Sequence, residues 1–168
     1  PPEEQYLVAT GRTYFRDLEF DALVRVALDL ETTGLDPECD RVFLCAIAAP
    51  DGTTHTLEAS GDDDASEADL VARLVARIRE IDPDVIENHN LHGFDLPFLA
   101  RRAERLGVPL ALGRVPARRL RQRPSARGGV LVPGAPELRR RSRYTEPGRG
   151  LIDTLEARLR HDFSPRGL

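Results

Sequence analysis

The chain has 168 residues, of which 40% are hydrophobic and 31% are charged, and its formal net charge is −4. This length suits one domain with a substantial core, and the absence of an apolar run of about 18 residues excludes a membrane span. The first residues, Pro-Pro-Glu-Glu, lack the charge and apolar run of a signal peptide. Two cysteines, Cys39 and Cys45, are too few for a disulfide framework and match no metal-binding spacing. We therefore expect a soluble, cytoplasmic protein with reduced cysteines and no membrane partner.

The charged residues are distributed unevenly along the chain. Residues 1–100 contain 7 arginines and 22 acidic residues, whereas residues 101–168 contain 17 arginines and 6 acidic residues. This asymmetry indicates a cation-attracting part beside a phosphate-attracting part. All 24 basic residues are arginine, which the codon bias of a GC-rich genome explains equally well.

A strand that ends in two acids lies near residues 24–31. Its valines and leucines give way to polar residues and then to a glycine and a proline, which is typical of a buried strand and its end. Because strand side chains alternate between faces, Asp29 and Glu31 share one face while Leu28 and Leu30 point into the core. Two carboxylates held this close repel each other unless one is protonated or a cation lies between them. We favour a metal ion.

Three further strands are predicted around this one. Residues 6–10 read as a short strand that ends at a glycine turn, followed by an extended lead-in. Residues 42–48 form an apolar run suited to a buried strand, and the Asp-Gly turn at 51–52 leads into another strand at 53–57. The acidic strand and the two that follow it therefore form a meander.

The first helix is predicted after a loop at residues 61–64, whose acids suit solvent and a helix N-terminus better than a metal site. Ser66 is the expected N-cap, with Asp69 at the capping-box position, and Asp69 can also pair with Arg73. Asp82-Pro83 ends the helix. Its apolar positions recur at helical spacing: Leu70, Val71, Leu74, Val75, Ile78 and Ile81.

Strands and helices then alternate. Residues 84–87 read as a short strand, residues 94–106 as a second helix that stops at Gly107, and residues 150–153 as a strand that passes into a helix. Strands followed by strand–helix alternation predict an α/β fold with a mixed sheet flanked by helices.

Residues 114–149 form an arginine-, proline- and glycine-rich insertion or loop with 11 arginines and 2 acidic residues. Only residues 130–132 suggest a strand, one arm of a loose hairpin. This composition is typical of a mobile surface insertion. We favour a phosphate-contacting arm, because the positive charge lies beside a candidate acidic site.

Asp95 is the best partner for the two strand acids, since it begins the second helix, where an ionised carboxylate is favoured. Three carboxylates from a strand end and a helix start could hold two divalent cations about 4 Å apart. This arrangement activates water and stabilises the leaving oxygen in phosphodiester cleavage. An all-oxygen site suits Mg²⁺ or Mn²⁺.

Two segments resemble a known family. Asp29-Leu30-Glu31-Thr32-Thr33-Gly34-Leu35 is similar to the first motif of the DEDD 3′-to-5′ exonucleases, and Asn90-x-x-x-Phe94-Asp95 is similar to the second motif in the form found in family B DNA polymerases. The resemblance covers about residues 6–160, and the arginine-rich insertion matches poorly. It implies an RNase H-like fold and a single exonuclease-like domain over residues 1–168.

The resemblance also implies roles for individual residues. Asp29 would bridge two metal ions, Glu31 would bind the tighter one, and Asp95 would serve the second, partly through water. A pocket for the 3′-terminal nucleotides would be lined by Thr32, Leu35, Asn90 and Phe94, the apolar ones packing on bases. The implied activity is 3′-to-5′ hydrolysis of single-stranded DNA ends, with RNA as a possible substrate, in the proofreading or processing part of a longer polymerase-like polypeptide.

The third motif of the family is absent from the chain. That motif is Tyr-x-x-x-Asp, or His-x-x-x-x-Asp in other branches, and no tyrosine or histidine has an aspartate at that spacing. We expect that the chain stops short of it, and the alternative is a degenerate domain that binds nucleic acid without cutting it. Asp153 could serve as a fourth ligand, although such a residue more often fixes a strand-to-helix turn. His89 and His92 fit loop histidines better than a zinc pair, because no cysteine or second pair is near.

Overall fold

The computed structural model describes residues 2–11, 19–115, 120–123, 143–156 and 158. The named helices within the described residues are α1 (Pro2–Thr10), a short 3₁₀ turn (Phe20–Ala22), α2 (Asp64–Ile81) and α3 (Asp95–Leu106). The strands are β1 (Arg25–Thr32), β2 (Val42–Ala48), β3 (Thr54–Glu58), β4 (Val85–Asn88), β5 (Arg121–Arg123), β6 (Arg143–Thr145) and β7 (Gly150–Asp153). No helix among the described residues is long and apolar enough to cross a membrane.

Five strands form the main sheet in the order β3-β2-β1-β4-β7. The first three are antiparallel neighbours, which confirms the predicted meander, and β4 lies parallel to both β1 and β7. A parallel pair needs a crossover connection. The connection from β1 to β4 contains α2, and the connection from β4 to β7 contains α3. The predicted mixed α/β sheet flanked by helices is confirmed. A second sheet pairs β5 with β6.

The core lies on one face of β1. Val26, Leu28 and Leu30 are buried. Asp29, which lies between the two leucines, and Glu31, which follows them, are exposed. This is the alternation predicted from the sequence, and it sends both acids away from the core. The buried cluster is completed by apolar residues of the helices and neighbouring strands, including Leu70, Leu74, Ile78, Ile86, Leu96, Phe98 and Leu99.

The prediction of a strand at residues 6–10 is wrong, because this segment belongs to α1. Val8 and Thr10 favour strands, but the helix opens with a proline and two glutamates, which suit its first turn. Gly11 has a φ of 66° immediately after the helix. Glycine reaches this left-handed conformation without strain and commonly ends helices.

The predicted cap of α2 is also wrong. The helix begins at Asp64, and its N-cap is Asp63 instead of Ser66. Asp63 Oδ1 accepts a hydrogen bond from the Ser66 backbone N–H at 2.7 Å, which lowers the pKa of the Asp63 carboxyl. Residues 62–64 are all aspartate, and aspartate caps a helix as well as serine does. The helix can therefore begin before Ser66. The predicted pairing of Asp69 with Arg73 is confirmed at 2.7 Å.

A buried ion pair joins α2, α3 and the loop after β1. Glu67 is 1% exposed and Arg102 is 3% exposed, and the pair makes two hydrogen bonds of 2.9 and 2.5 Å. Glu67 also accepts from the Val42 backbone N–H at 3.0 Å, and Arg102 donates to the Pro37 carbonyl at 3.1 Å. These contacts fix the start of β2 and the β1–β2 loop against the helix that begins with Asp95.

The predicted strand at residues 130–132 and most of the arginine-rich insertion lie outside the described residues. The two short strands β5 and β6 stand at either side of that segment and pair antiparallel. The strand at 84–87, the helix ending at Gly107 and the strand at 150–153 are confirmed, with helical conformation following from Thr154.

Candidate active site

Asp29 and Glu31 stand near the carboxyl end of β1 on the exposed face of the sheet. The register of β1 against β2 shifts between Glu31 and Thr32, which is a bulge-type irregularity of the pairing. Bulges often occur beside active sites, where they change the direction of a side chain. In the loop that follows, the Thr32 hydroxyl donates to the Gly34 carbonyl at 2.7 Å.

Asp95 is the first residue of α3 and is only 3% exposed. Burial raises the pKa of its carboxyl to about 7, and the negative charges of Asp29 and Asp153 also act to raise it. Hydrogen bonds from the Asp95 backbone N–H and the Asn88 side chain act in the opposite direction. Desolvation therefore outweighs the preference of a helix start for an ionised carboxylate.

Asn88, the last residue of β4, lies beside both Asp29 and Asp95. Its Nδ2 donates to Asp29 Oδ1 at 3.1 Å, and its amide lies near enough to the Asp95 carboxyl to lower the pKa of that group. The residue lies there because β4 is parallel to β1, with Glu87 opposite Ala27. Sequence reasoning missed Asn88. A polar residue at the carboxyl end of a central strand, two positions before Asn90, was the available signal.

Asp153 fixes the loop between β4 and α3. Its Oδ1 accepts from the backbone N–H groups of Asn90 and Leu155, and its Oδ2 accepts from that of His92, all at 3.0 Å. The residue is 6% exposed. Both carboxylate oxygens of Asp153 therefore accept hydrogen bonds from backbone N–H groups. This supports a role in fixing the turn and not a role as a metal ligand. Asn90 adopts a φ of 69° within this loop.

The four residues predicted to line a nucleotide pocket lie at the end of β1 and in the two loops beside the acids. Leu35 is 83% exposed, in the loop after β1. Phe94 is half-buried and its ring packs against Phe98, with centroids 5.4 Å apart. Thr32 is half-buried at the end of β1. Asn90 Oδ1 is buried with no hydrogen-bond partner among the residues that the structure describes.

The structure brings Asp29 and Asp95 together but assembles no ready-made cation site from the described residues. Within that part of the chain, no three His, Cys, Asp or Glu side chains converge closely enough to bind a metal ion. Glu31 shares the face of Asp29 two residues further along β1. His92 is buried, and its Nδ1 accepts from the Tyr144 backbone N–H at 3.3 Å. That contact agrees with a loop histidine.

Three arginines of the 114–149 segment form ion pairs within the chain. Arg114 bonds Asp82 and Asp84 at 2.8 Å each. Arg149 lies 3.0 Å from Asp82, and Arg143 lies 2.8 Å from Glu156. These arginines hold the ends of the described segments against the body of the domain. The expectation of a phosphate-contacting arm therefore rests on the other arginines of this segment, among them the exposed Arg121 of β5.

The five-stranded mixed sheet, its flanking helices and the acids at the carboxyl ends of its central strands define an RNase H-like fold. A family model described as the exonuclease domain of family B DNA polymerases matches residues 13–157. The chain belongs to this family.

Relatives and solved structures agree with this assignment. DNA polymerase 2 of Aeropyrum pernix is 38% identical over 99 residues, which are 59% of the chain and 12% of that polymerase. DNA polymerase 1 of Pyrococcus abyssi is 55% identical over 49 residues, 29% of the chain and 6% of the polymerase. The family B DNA polymerase of Pyrobaculum calidifontis aligns with a TM-score of 0.60 and 31% identity, covering 79% of the chain and 15% of that structure. The chain thus spans a small part of each of these polymerases.

Proposed function

We propose that the chain is a 3′-to-5′ exonuclease domain that removes nucleotides from single-stranded 3′ ends of DNA. The observation that carries the proposal is the approach of Asp29, near the carboxyl end of β1, and Asp95, at the start of α3, in a chain of the polymerase exonuclease family. The chain spans only a small share of the length of these relatives. This supports the further proposal that the chain is the proofreading or processing part of a longer polypeptide.

The donor chemistry fits Mg²⁺ or Mn²⁺. The buried Asp95 carboxyl beside Asp29 is a place where a cation would offset both desolvation and repulsion, and carboxylate oxygens are the ligands that hard cations prefer. Asp29, Glu31 and Asp95 would hold the metal ions. When bound, such cations supply an activated water and charge stabilisation at the leaving oxygen.

The remaining residues would orient the DNA end. Leu35, exposed beside the acids, would pack on a terminal base, and Phe94 would present its half-buried ring to the same nucleotides. Thr32 and Asn90 flank the acids on the β1 side and the α3 side. Together these groups would place the last phosphodiester over Asp29, where water attacks phosphorus and the bond to the departing 3′ oxygen breaks.

The arginine-rich segment supplies a separate proposal, that residues 114–149 contact DNA phosphates. Arg139, Arg140 and Arg141 are consecutive and lie outside the described residues. The logarithm of the affinity falls as the logarithm of the salt concentration rises. Removal of one arginine that binds a phosphate should make this slope shallower by about 0.7 for single strands. Replacing all three with glutamine should therefore reduce the slope by about 2. An unchanged slope would show that these arginines do not contact the DNA.

The activity itself is tested on the full-length protein with a 5′-labelled single strand. Shortening of the strand in Mg²⁺ or Mn²⁺, and none in EDTA, is the expected result. Asp29→Ala should abolish shortening while leaving the circular dichroism spectrum unchanged, because an exposed strand residue contributes little to the core. An intact strand with the wild-type protein would refute the enzyme proposal. Activity that persists in a clean Asp29→Ala preparation would refute the site.

A second candidate is a nucleic-acid-binding module that does not cut. It is favoured by the lack of a Tyr-x-x-x-Asp or His-x-x-x-x-Asp motif in residues 1–168 and by the lack of three converging ligands among the described residues. Binding of DNA without any metal-dependent shortening would establish it. RNA processing is distinguished by comparing ribose and deoxyribose strands of one sequence, since the 2′-hydroxyl separates the two substrates.

A further inference from the structure

Asn88 occupies the point where the two approaching acids meet. Its Nδ2 is 3.1 Å from Asp29 Oδ1, and its amide also lies beside the Asp95 carboxyl, whose negative charge it stabilises. The contact with Asp29 joins residues 59 positions apart, so it ties β1 to β4. Its position beside Asp95 faces the start of α3. One half-buried side chain thus lies where three elements meet at the site.

We propose that Asn88 is a positioning residue that holds Asp29 and Asp95 at the spacing from which both carboxylates can face one cation. The proposal rests on the proposed exonuclease function and deepens it. Asn88 touches the acids and not the reacting atoms, so it acts through the ligands.

The chemistry of a carboxamide suits this task. Its NH₂ group offers two N–H donors, which is enough to serve one oxygen of each carboxylate. The remaining carboxylate oxygens stay available for a metal ion. The opposite orientation of the amide would place its carbonyl oxygen against two acceptors, so donation is the arrangement that hydrogen bonding favours.

The neutrality of the amide matters as much as its donors. An arginine or lysine at position 88 would hold the two carboxylates more strongly, but its positive charge would occupy the place of the cation and repel it. An amide lowers the repulsion between the acids and leaves the site negative. Asn88 therefore keeps the pair together before a cation arrives without competing with it.

The test compares Asn88→Leu, which keeps the volume and removes the donors, with Asn88→Gln, which keeps the donors on a longer stem. In the full-length protein, Asn88→Leu should lower kcat about 10- to 100-fold, the range expected for charge-assisted hydrogen bonds. The Mn²⁺ concentration for half-maximal rate should rise by about 10-fold. KM for a single-stranded DNA should change less than about 2-fold, because Asn88 contacts the acids and not the bases. Asn88→Gln should recover part of kcat and of the Mn²⁺ affinity.

A readout without catalysis separates this proposal from the exonuclease proposal. Millimolar Mn²⁺ should raise the Tm of the wild-type protein and raise that of Asn88→Leu less, with Asn88→Gln in between. This comparison holds even if the protein cuts no DNA, in which case only the proposed function fails.

Two results would overturn the positioning role. One is an Asn88→Leu variant with wild-type kcat and a wild-type Mn²⁺-induced rise in Tm. The other is a loss of kcat with an unchanged Mn²⁺ requirement. If Asn88→Leu does not fold, Asn88→Ala takes its place, because it also removes the donors without adding bulk, and the same two results decide.

Discussion

Replacing Asp95 by asparagine should make the metal-free protein more stable at neutral and alkaline pH. Asp95 is 3% exposed, and burial, together with the charge of Asp29, raises the pKa of its carboxyl from about 3.8 to about 7. The folded state therefore binds a proton that the unfolded state has released. Asparagine has the same shape and no charge to desolvate, so it avoids this cost.

The sign and size follow from proton linkage. Between about pH 4 and pH 7 the folded protein binds more protons than the unfolded protein, so the free energy of unfolding falls as the pH rises. Each pKa unit corresponds to about 1.4 kcal/mol, and the full cost above pH 7 is on the order of 4 kcal/mol. For a domain of this size, that corresponds to a Tm difference of roughly 10 °C. Near pH 4 the difference should largely disappear.

The assay is thermal unfolding in EDTA at a series of pH values from about 4 to about 8. Asp95→Asn should melt above the wild type at the alkaline end, and the two curves should converge toward the acidic end. The matched control is Glu31→Gln, which removes a carboxylate from the exposed face of β1 and should change the Tm by only about 1 °C. Added Mn²⁺ should raise the Tm of the wild type more than that of Asp95→Asn. An Asp95→Asn variant no more stable than the wild type at alkaline pH would refute the account of a desolvated carboxyl.

Three further substitutions test the framework around the site. Arg102→Met should destabilise the fold by about 3 to 5 kcal/mol in urea titrations because it leaves the Glu67 carboxylate buried and unpaired. The double variant with Glu67→Leu should recover much of this loss, and equal losses in both would contradict the explanation. Gly93→Ala should reduce exonuclease rate more than stability, since a Cβ there would overlap Asn90 Oδ1 and lie 3.1 Å from its Cγ. An Ala variant with wild-type rate would show that the Asn90 side chain can move freely. Glu146→Gln should raise the Tm at about pH 8 but not at about pH 4, because burial raises the pKa of the Glu146 carboxyl to about 7. A Tm difference independent of pH would exclude that cause.

The sequence was most informative where one local rule decides the geometry. Side-chain alternation placed Asp29 and Glu31 on one face of β1 because a strand has a period of two. Helical periodicity located α2, and a glycine located the end of α3. These features depend on neighbours within a few residues, so a single sequence contains the information.

Features that depend on distant partners could not be predicted in the same way. The burial of Asp95 depends on how α3 docks on the sheet, and the pairing of Glu67 with Arg102 depends on the packing of α3 on α2. Asn88 becomes significant only because β4 lies parallel to β1. Local signals also failed where two of them competed, as at Asp63 and Ser66, where either residue could cap α2.

In the proposed function, the pair Asp29 and Asp95 serves metal-dependent removal of nucleotides from a 3′ end. The most direct measurement follows one DNA single strand labelled in turn at its 3′ and 5′ ends, with full-length protein and Mn²⁺. We expect the 3′ label to leave first as a mononucleotide and the 5′-labelled strand to shorten in single-nucleotide steps. Asp29→Ala should stop both. Release of the 3′ label in longer fragments, or the same products from Asp29→Ala, would contradict the proposed function.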